Sequence, residues 1–169
     1  MSTKTFRSRK SYNYHLLIIS ILIILGMISF PASVWAGKLN NPNGFSSAQV
    51  IDQDVFLMGQ QPTVEGTVNG DVFILGSDVV ITGEVNGSVF VLAEKLEVLG
   101  KISGNLYVAA VEVNQPSEGQ IDRSLYGFVL SLVTESSSHI GRNLNLVAMS
   151  ARLNGQTSGK ITALVGPWE

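Results

Sequence analysis

From Gly66 to Val113 the hydrophobic and polar positions follow a period of their own. The stretch reads GTVNGDVFILGSDVVIT, then GEVNGSVFVLAEKLEVL, then GKISGNLYVAAVEV. Gly66, Gly83 and Gly100 each open a unit, 17 residues apart. Val68, Val85 and Ile102 stand in one column, Val72, Val89 and Leu106 in another, with Gly70, Gly87 and Gly104 between them. Agreement at this many places marks an internal repeat, and a repeat governs the reading of every local motif inside it. The frame runs on in both directions. Ile51 and Val55 fit a degenerate unit near Gln49, and later units open at Gly119, Ser138 and Gly155, at spacings of 19, 19 and 17 residues. Seven units result, the last incomplete, and two of them carry a small insertion.

Units rich in Val, Ile, Leu, Phe and Thr, alternating over short runs and broken by Gly or Asn, have the chemistry of strands and turns. A strand of four to six residues has no way to bury its apolar face alone. Stacking the next turn of chain above it in register makes each aliphatic column continuous, and the backbone groups then bond to the coils on either side. The pattern therefore predicts an all-β fold, a parallel β-helix of about seven short coils over 49–169. Right-handed winding is expected from the general crossover preference. At about 4.8 Å per coil the rod is roughly 34 Å long.

The first 36 residues follow different rules. Lys4, Arg7, Arg9 and Lys10 form a basic head, and Leu16 to Phe30 is a 15-residue run without a charge, broken by Pro31. Val34-Trp35-Ala36 supplies small or permitted residues for cleavage before Gly37, so 1–36 reads as a secretory signal peptide. The alternative is an uncleaved N-terminal helical anchor, because the apolar segment extended to Ala36 reaches 21 residues, enough to cross a bilayer. Either reading places the rest of the chain outside the cytoplasm, secreted or held at the cell envelope. Residues 37–48, polar and turn-rich, read as a linker or N-terminal cap in which Phe45 is the one aromatic side chain.

Charge and composition narrow the function. The chain has 11 basic and 13 acidic side chains. The four basic residues before position 37 go with the leader, leaving seven against 13 and a net charge of −6. Such a surface has no basic stripe for a phosphate backbone, which argues against nucleic acid as a partner. With no cysteine, disulfides, thiolate metal sites and a lipidated cysteine are all excluded. The histidines are His15, in the leader, and His139, too few for a metal cluster, and no cofactor is expected.

Catalytic constellations are correspondingly thin. Ser136, Ser137, Ser138 and His139 are neighbours in sequence, which is not a nucleophile–base geometry. Asp52, Asp54 and Asp71 stack on one face in this frame, and paired carboxylates serve some polysaccharide-cleaving β-helices, but the long loops that would build a cleft are missing. Arg123 and Arg142 take the place of the middle glycine in two successive units and are expected to splay toward Asp122 or Glu135. Two features stand out. Phe56, Phe73, Phe90, Tyr107 and Tyr126 share one column, turned outward if Val72 and Ile74 point inward. After Val165 only Gly-Pro-Trp-Glu remains, so the coil around Ile161 and Leu164, with Trp168 beside it, is the expected self-association end.

The run VNGDVFILGSDVVITGEVNGSVFVLAEKLEVLGKISGNLYVAA resembles the core of the bactofilins, the bacterial polymer-forming cytoskeletal proteins. The similarity covers Val50 to Val165 and is carried by the cadence G-x-[VI]-x-G-x-[VL]. The resemblance implies a right-handed β-helix without catalysis or cofactor, and non-polar filaments formed by end-to-end contact, with scaffolding as the role. The leader, the insertions and the two arginines depart from that family and point to a divergent, exported member. Three functions are carried forward. The first is a self-associating scaffold at the envelope. The second is a monomeric module that binds glycan or protein along the aromatic column. The third is a β-helix carbohydrate-active enzyme.

Overall fold

The computed structural model describes residues 44–45 and 47–166 of the chain. The expected leader over 1–36 with its hydrophobic helix, the Ala36–Gly37 junction, the start of the 37–48 linker, the side chain of Phe45 and Trp168 lie outside the described residues. The strands in chain order are β1 (Gly44–Phe45), β2 (Val50–Ile51), β3 (Val55–Gly59), β4 (Thr63–Val64), β5 (Thr67–Val68), β6 (Val72–Ile81), β7 (Glu84–Val85) and β8 (Val89–Val98). They continue as β9 (Lys101–Ile102), β10 (Leu106–Gln115), β11 (Gln120–Ile121), β12 (Leu125–Thr134), β13 (His139–Ile140), β14 (Leu144–Leu153), β15 (Gln156–Thr157) and β16 (Ile161–Val165).

Short and long strands alternate along the chain, and each pairs with its counterpart one turn away. The long strands form one sheet in the order β1-β4-β6-β8-β10-β12-β14-β16, with β3 also on β6. The short strands form a second, β15-β13-β11-β9-β7-β5-β2. The pairings are parallel, and their register is the sequence period: Val72 faces Val89 and Leu106 faces Leu125. The described residues form an all-β parallel solenoid of about seven turns.

Each ten-residue strand is bent. In β6, Val72 and Ile74 are buried, and so are Val79 and Ile81. Positions 74 and 79 are an odd number apart, so an unbent strand would turn them to opposite faces. The register accounts for this, since Ser77 has no Cα partner between Gly76↔Ala93 and Asp78↔Lys95. The chain turns a corner there and the inward phase is restored, which gives three faces per turn and five inward columns. Val68, Val72, Ile74, Val79 and Ile81 fill one turn, and Val85, Val89, Val91, Leu96 and Val98 fill the next, every one buried.

The two insertions fall at one corner, between a long strand and the following short one. They form the turns around 116–119 and 135–138, closed by Gly119 N–H to Pro116 O at 2.9 Å and Ser138 N–H to Glu135 O at 3.0 Å. Buried Gln115 braces the first, its Nε2 donating to the carbonyls of Gly119 at 3.0 Å and His139 at 3.2 Å. The turns stack on each other, with Ser117 Oγ donating to Glu135 Oε2 at 3.2 Å. Both extra loops thus stay local and the register of the core is kept.

A second set of bonds runs along the corner after the short strands. Asp71 N–H donates to Asp54 Oδ1, Ser88 N–H to Asp71 Oδ1, Asn105 N–H to Ser88 Oγ and Ser124 N–H to Asn105 Oδ1, at 2.8–3.2 Å. Asn143 N–H to Ser124 Oγ and Lys160 N–H to Asn143 Oδ1 complete the column at 3.2 and 3.0 Å. Here a side chain of one turn satisfies a backbone donor of the next, where the chain leaves the ladder to bend. Beside it the glycine column is dictated by contact. A Cβ on Gly87 would meet the backbone of Gly70, and one on Gly104 the backbone of Gly87.

Stability should follow position along the rod. Leu106→Ala removes a fully buried side chain in the middle turn and is expected to cost about 2–5 kcal/mol. Ile161→Ala, in the same column but half exposed, is expected to cost less than about 1 kcal/mol, because the side chain has little burial to lose. Chemical denaturation of the two variants in dilute solution makes the comparison.

Candidate functional site

Alternation turns the residue after each Val72-type position outward, and the expected aromatic column lies there. Phe56, Phe73, Phe90, Tyr107 and Tyr126 form one continuous stack, with ring centroids 4.6, 4.8, 4.8 and 4.9 Å apart and planes within 7° of parallel. The spacing is that of the strands beneath. Parallel rings at this centroid distance fall within the offset-stacked geometry that aromatic pairs prefer. Phe73, Phe90 and Tyr107 are half-buried because each is covered on both faces, whereas Phe56 is 63% exposed and Tyr126 40%. Along its length the ladder therefore turns its ring faces onto one another and shows mostly edges to solvent.

Two residues further along each strand lies a second outward column that the repeat reading overlooked. It comprises Met58, Leu75, Leu92, Ala109, Phe128, Val147 and Leu164, in register through six strand pairings. All but Ala109 are exposed. Residues i and i+2 on one strand are roughly 7 Å apart, so the two columns form one apolar face about 30 Å long. The signal was present in the sequence as an apolar residue two places after each aromatic.

The ladder stops at Tyr126 because Asn145 and then Thr162 occupy the next two places. The smaller side chains leave a recess of about 590 Å³, bounded by Tyr126, Phe128, Asn145, Val147, Thr162 and Leu164. Tyr126, whose one stacked ring among the described residues is Tyr107, borders it, and Asn145, one turn on in the same column, and Thr162 bring an amide and a hydroxyl there.

The two ends of the solenoid differ. At the first turn Val55 and Leu57 are already buried, at 5% and 3% exposure, and β1 lies on the outer edge of β4. At the last turn β16 is exposed throughout. Register places Ile161 over buried Leu144, Ala163 over buried Leu146 and Val165 over buried Ala148. These three are inward-column residues, and Ile161 is nevertheless 49% exposed. Leu164 instead continues the outward column of Val147, so of the two described residues expected at the association end, Ile161 faces the core and Leu164 faces sideways.

The polar candidates are engaged in holding the rod together. Asp54 and Asp71 accept backbone N–H bonds from the following turn. Asp52 Oδ1 accepts from Asn69 Nδ2 at 2.6 Å, at the head of a ladder that continues through Asn86 to Ser103. Ser138 is buried and its Oγ donates to the Glu135 carbonyl at 2.8 Å, while Ser136 and Ser137 are exposed. Arg123 and Arg142 are exposed, stacked through Arg142 N–H to Arg123 O at 3.0 Å. The expected partners lie elsewhere: Asp122 is 3.7 Å from Lys101 Nζ, which also sits 3.6 Å from Glu84, and Glu135 accepts from Ser117. Among the described residues no group of three or more His, Asp or Glu side chains gathers into a metal site.

Comparison with protein-family models, with curated proteins and with solved structures finds no match for this chain.

The ladder's role in stability can be read by position. Phe90 has a ring on either side and Phe56 only one. Phe90→Leu is therefore expected to cost about 1 kcal/mol more than Phe56→Leu, the value of one stacked pair. Equal costs in denaturation experiments would mean that the stack adds nothing beyond burial.

Proposed function

We propose that this chain is a non-enzymatic structural protein of the cell envelope that joins to copies of itself through the end of its solenoid. The observation that carries this reading is β16. It is a fully exposed edge strand, Ile161-Thr-Ala-Leu-Val165, with no charge in it and with inward-column residues facing solvent. Natural edge strands are commonly blunted by charge, proline or a covering element, and an unblunted one is a template for another strand. Support for the envelope comes from the leader-like segment 1–36, whether cleaved or kept as an anchor. The glycine–valine cadence supports kinship with the bactofilins as a divergent exported member, and with it right-handed winding, which is also the general preference of parallel crossovers. No cofactor enters this role, and the acidic surface turns nucleic acid away.

Ile161→Lys places a charge in an inward column of the open end and is expected to abolish self-association. Leu164→Lys, on the outward column, should weaken it less. Light scattering and negative-stain imaging read both. Undiminished assembly of Ile161→Lys would remove the end of the rod from the mechanism.

A second reading has one specific observation in its favour, the recess at the end of the ladder, bordered by Tyr126 with no further ring stacked on it among the described residues. A pyranose ring seated there would continue the stack while its hydroxyls met Asn145 and Thr162. On this reading the chain is a glycan-binding module, and contact is confined to the last ring and does not run along the ladder. Tyr126→Ser should then lose glycan retention while Phe73→Ser keeps it, with self-association intact in both. Equal loss in the two variants would count against a localised site.

A further inference from the structure

The difference between the two ends bears on the size of the assembly. An adhesive surface on a solenoid has to match the cross-section it meets: three faces of strand edges around an apolar centre. A coil end of the same solenoid supplies that match, so the occupant is a second copy. Of that copy's two ends, the N-terminal one has its inward side chains covered except for half-buried Ile51, although β2 and β3 are paired on one side only. Val55 and Leu57 are buried in β3, Val64 is fully buried in β4, and β1 occupies the edge of β4. The C-terminal end has Ile161, Val165 and Leu153 exposed in inward columns, and the second half of β14, Ser150–Leu153, pairs with β12 alone.

Resting on the self-association proposed above, we propose that the C-terminal end is the one adhesive end of the solenoid, that its partner is the same end of a second copy, and that assembly stops at two. A contact between identical patches is isologous and closes on itself about a two-fold axis, whereas an open filament requires either two complementary surfaces or two self-complementary ones. In a coaxial pair with the axis passing through β16, the two copies of that strand run antiparallel, a pairing in which like edges bond to each other. The same arrangement keeps inward residues inward, so Ile161 and Val165 of each copy enter one continuous core. Charge raises only a small barrier, since between Ser150 and Gly166 the chain carries just Arg152 and Lys160, both exposed. A coil cross-section offers on the order of 400 Å² per partner, below the roughly 800 Å² of a standard stable interface. The pair is therefore expected to be concentration-dependent and to dissociate on dilution.

The absence of native cysteine makes the test direct. Ser158→Cys marks the last turn and Gln53→Cys the first, both at exposed positions. Each variant of the full-length chain, purified in mild detergent and verified by circular dichroism, is treated with a short bis-maleimide, alone and as a one-to-one mixture. Light scattering is followed over a dilution series. Pairing end to end predicts a crosslinked dimer from Ser158→Cys, none from Gln53→Cys, no mixed product, and a mass that rises with concentration to two chains and no further. A mixed Ser158–Gln53 product, or a ladder of higher species, would overturn closure at two while leaving self-association in place. Dimers crosslinked only through Gln53→Cys would overturn the choice of end. A single-chain mass at every concentration, with no crosslink, would overturn self-association itself.

Discussion

Everything in this solenoid depends on one spacing, that between parallel strands in successive turns. Because the turns are in register, each side chain has as its nearest non-local neighbours the equivalent residues one turn on either side. Aliphatic residues then make unbroken inward columns, aromatic rings stack at 4.6–4.9 Å, and amides and hydroxyls hand hydrogen bonds from turn to turn. The same spacing penalises like charges, which would face each other at short range. Glu84 and Lys101 accordingly follow one another in one column, and Asp78, Lys95 and Glu112 alternate in sign in another. The adjacent carboxylates Asp54 and Asp71 are an exception, and there each carboxylate is held by a backbone N–H.

Much of this was legible in the sequence because a repeat reports its own contacts. Once Val68, Val85 and Ile102 are aligned, their vertical neighbours are known without knowledge of the backbone, and the ring stack from Phe56 to Tyr126 follows. What lay beyond that reading was the local turning of the chain. The corner at Ser77 restores the inward phase between Ile74 and Val79, and no residue type announces it, because Glu94, Val111, Leu130 and Met149 serve equally at that place. Leu164 precedes that corner, so alternation from inward Ile161 places it with Val147 and Phe128 on the outer face, while Val165 turns inward.

The column of hydrogen bonds from Asp54 to Lys160 was hidden for a different reason. Its acceptors are Asp, Asp, Ser, Asn, Ser and Asn, ending on the N–H of Lys160, and they share no side-chain class, only an oxygen within reach of the next backbone N–H. Residue identity is loosely constrained there, while geometry is tightly constrained. The glycine column shows the converse. Arg123 and Arg142 break it, and in the sixth repeat the close approach moves one place earlier, to Gly141 above Asp122. Asp52, at the head of the asparagine column, and Asp54 and Asp71, in the column beside it, are thus all engaged by the neighbouring turn, although their stacking is suggestive of catalysis in sequence.

A repeat built on one spacing has no internal means of stopping, since each turn leaves above it the template it was itself laid upon. The ends have to differ chemically from the middle. At the start, β1 lies on the edge of β4, and Val55, Leu57 and Val64 are buried while Ile51 is half-buried. At the finish the inward columns become smaller and more polar: Ile140 gives way to Thr157, Leu146 to Ala163 and Leu132 to Ala151. That change reduces the apolar area presented without removing it, because Ile161, Val165 and Leu153 remain exposed. A surface so adjusted suits a partner that comes and goes, since a larger one would invite indiscriminate pairing and a charged one would forbid it.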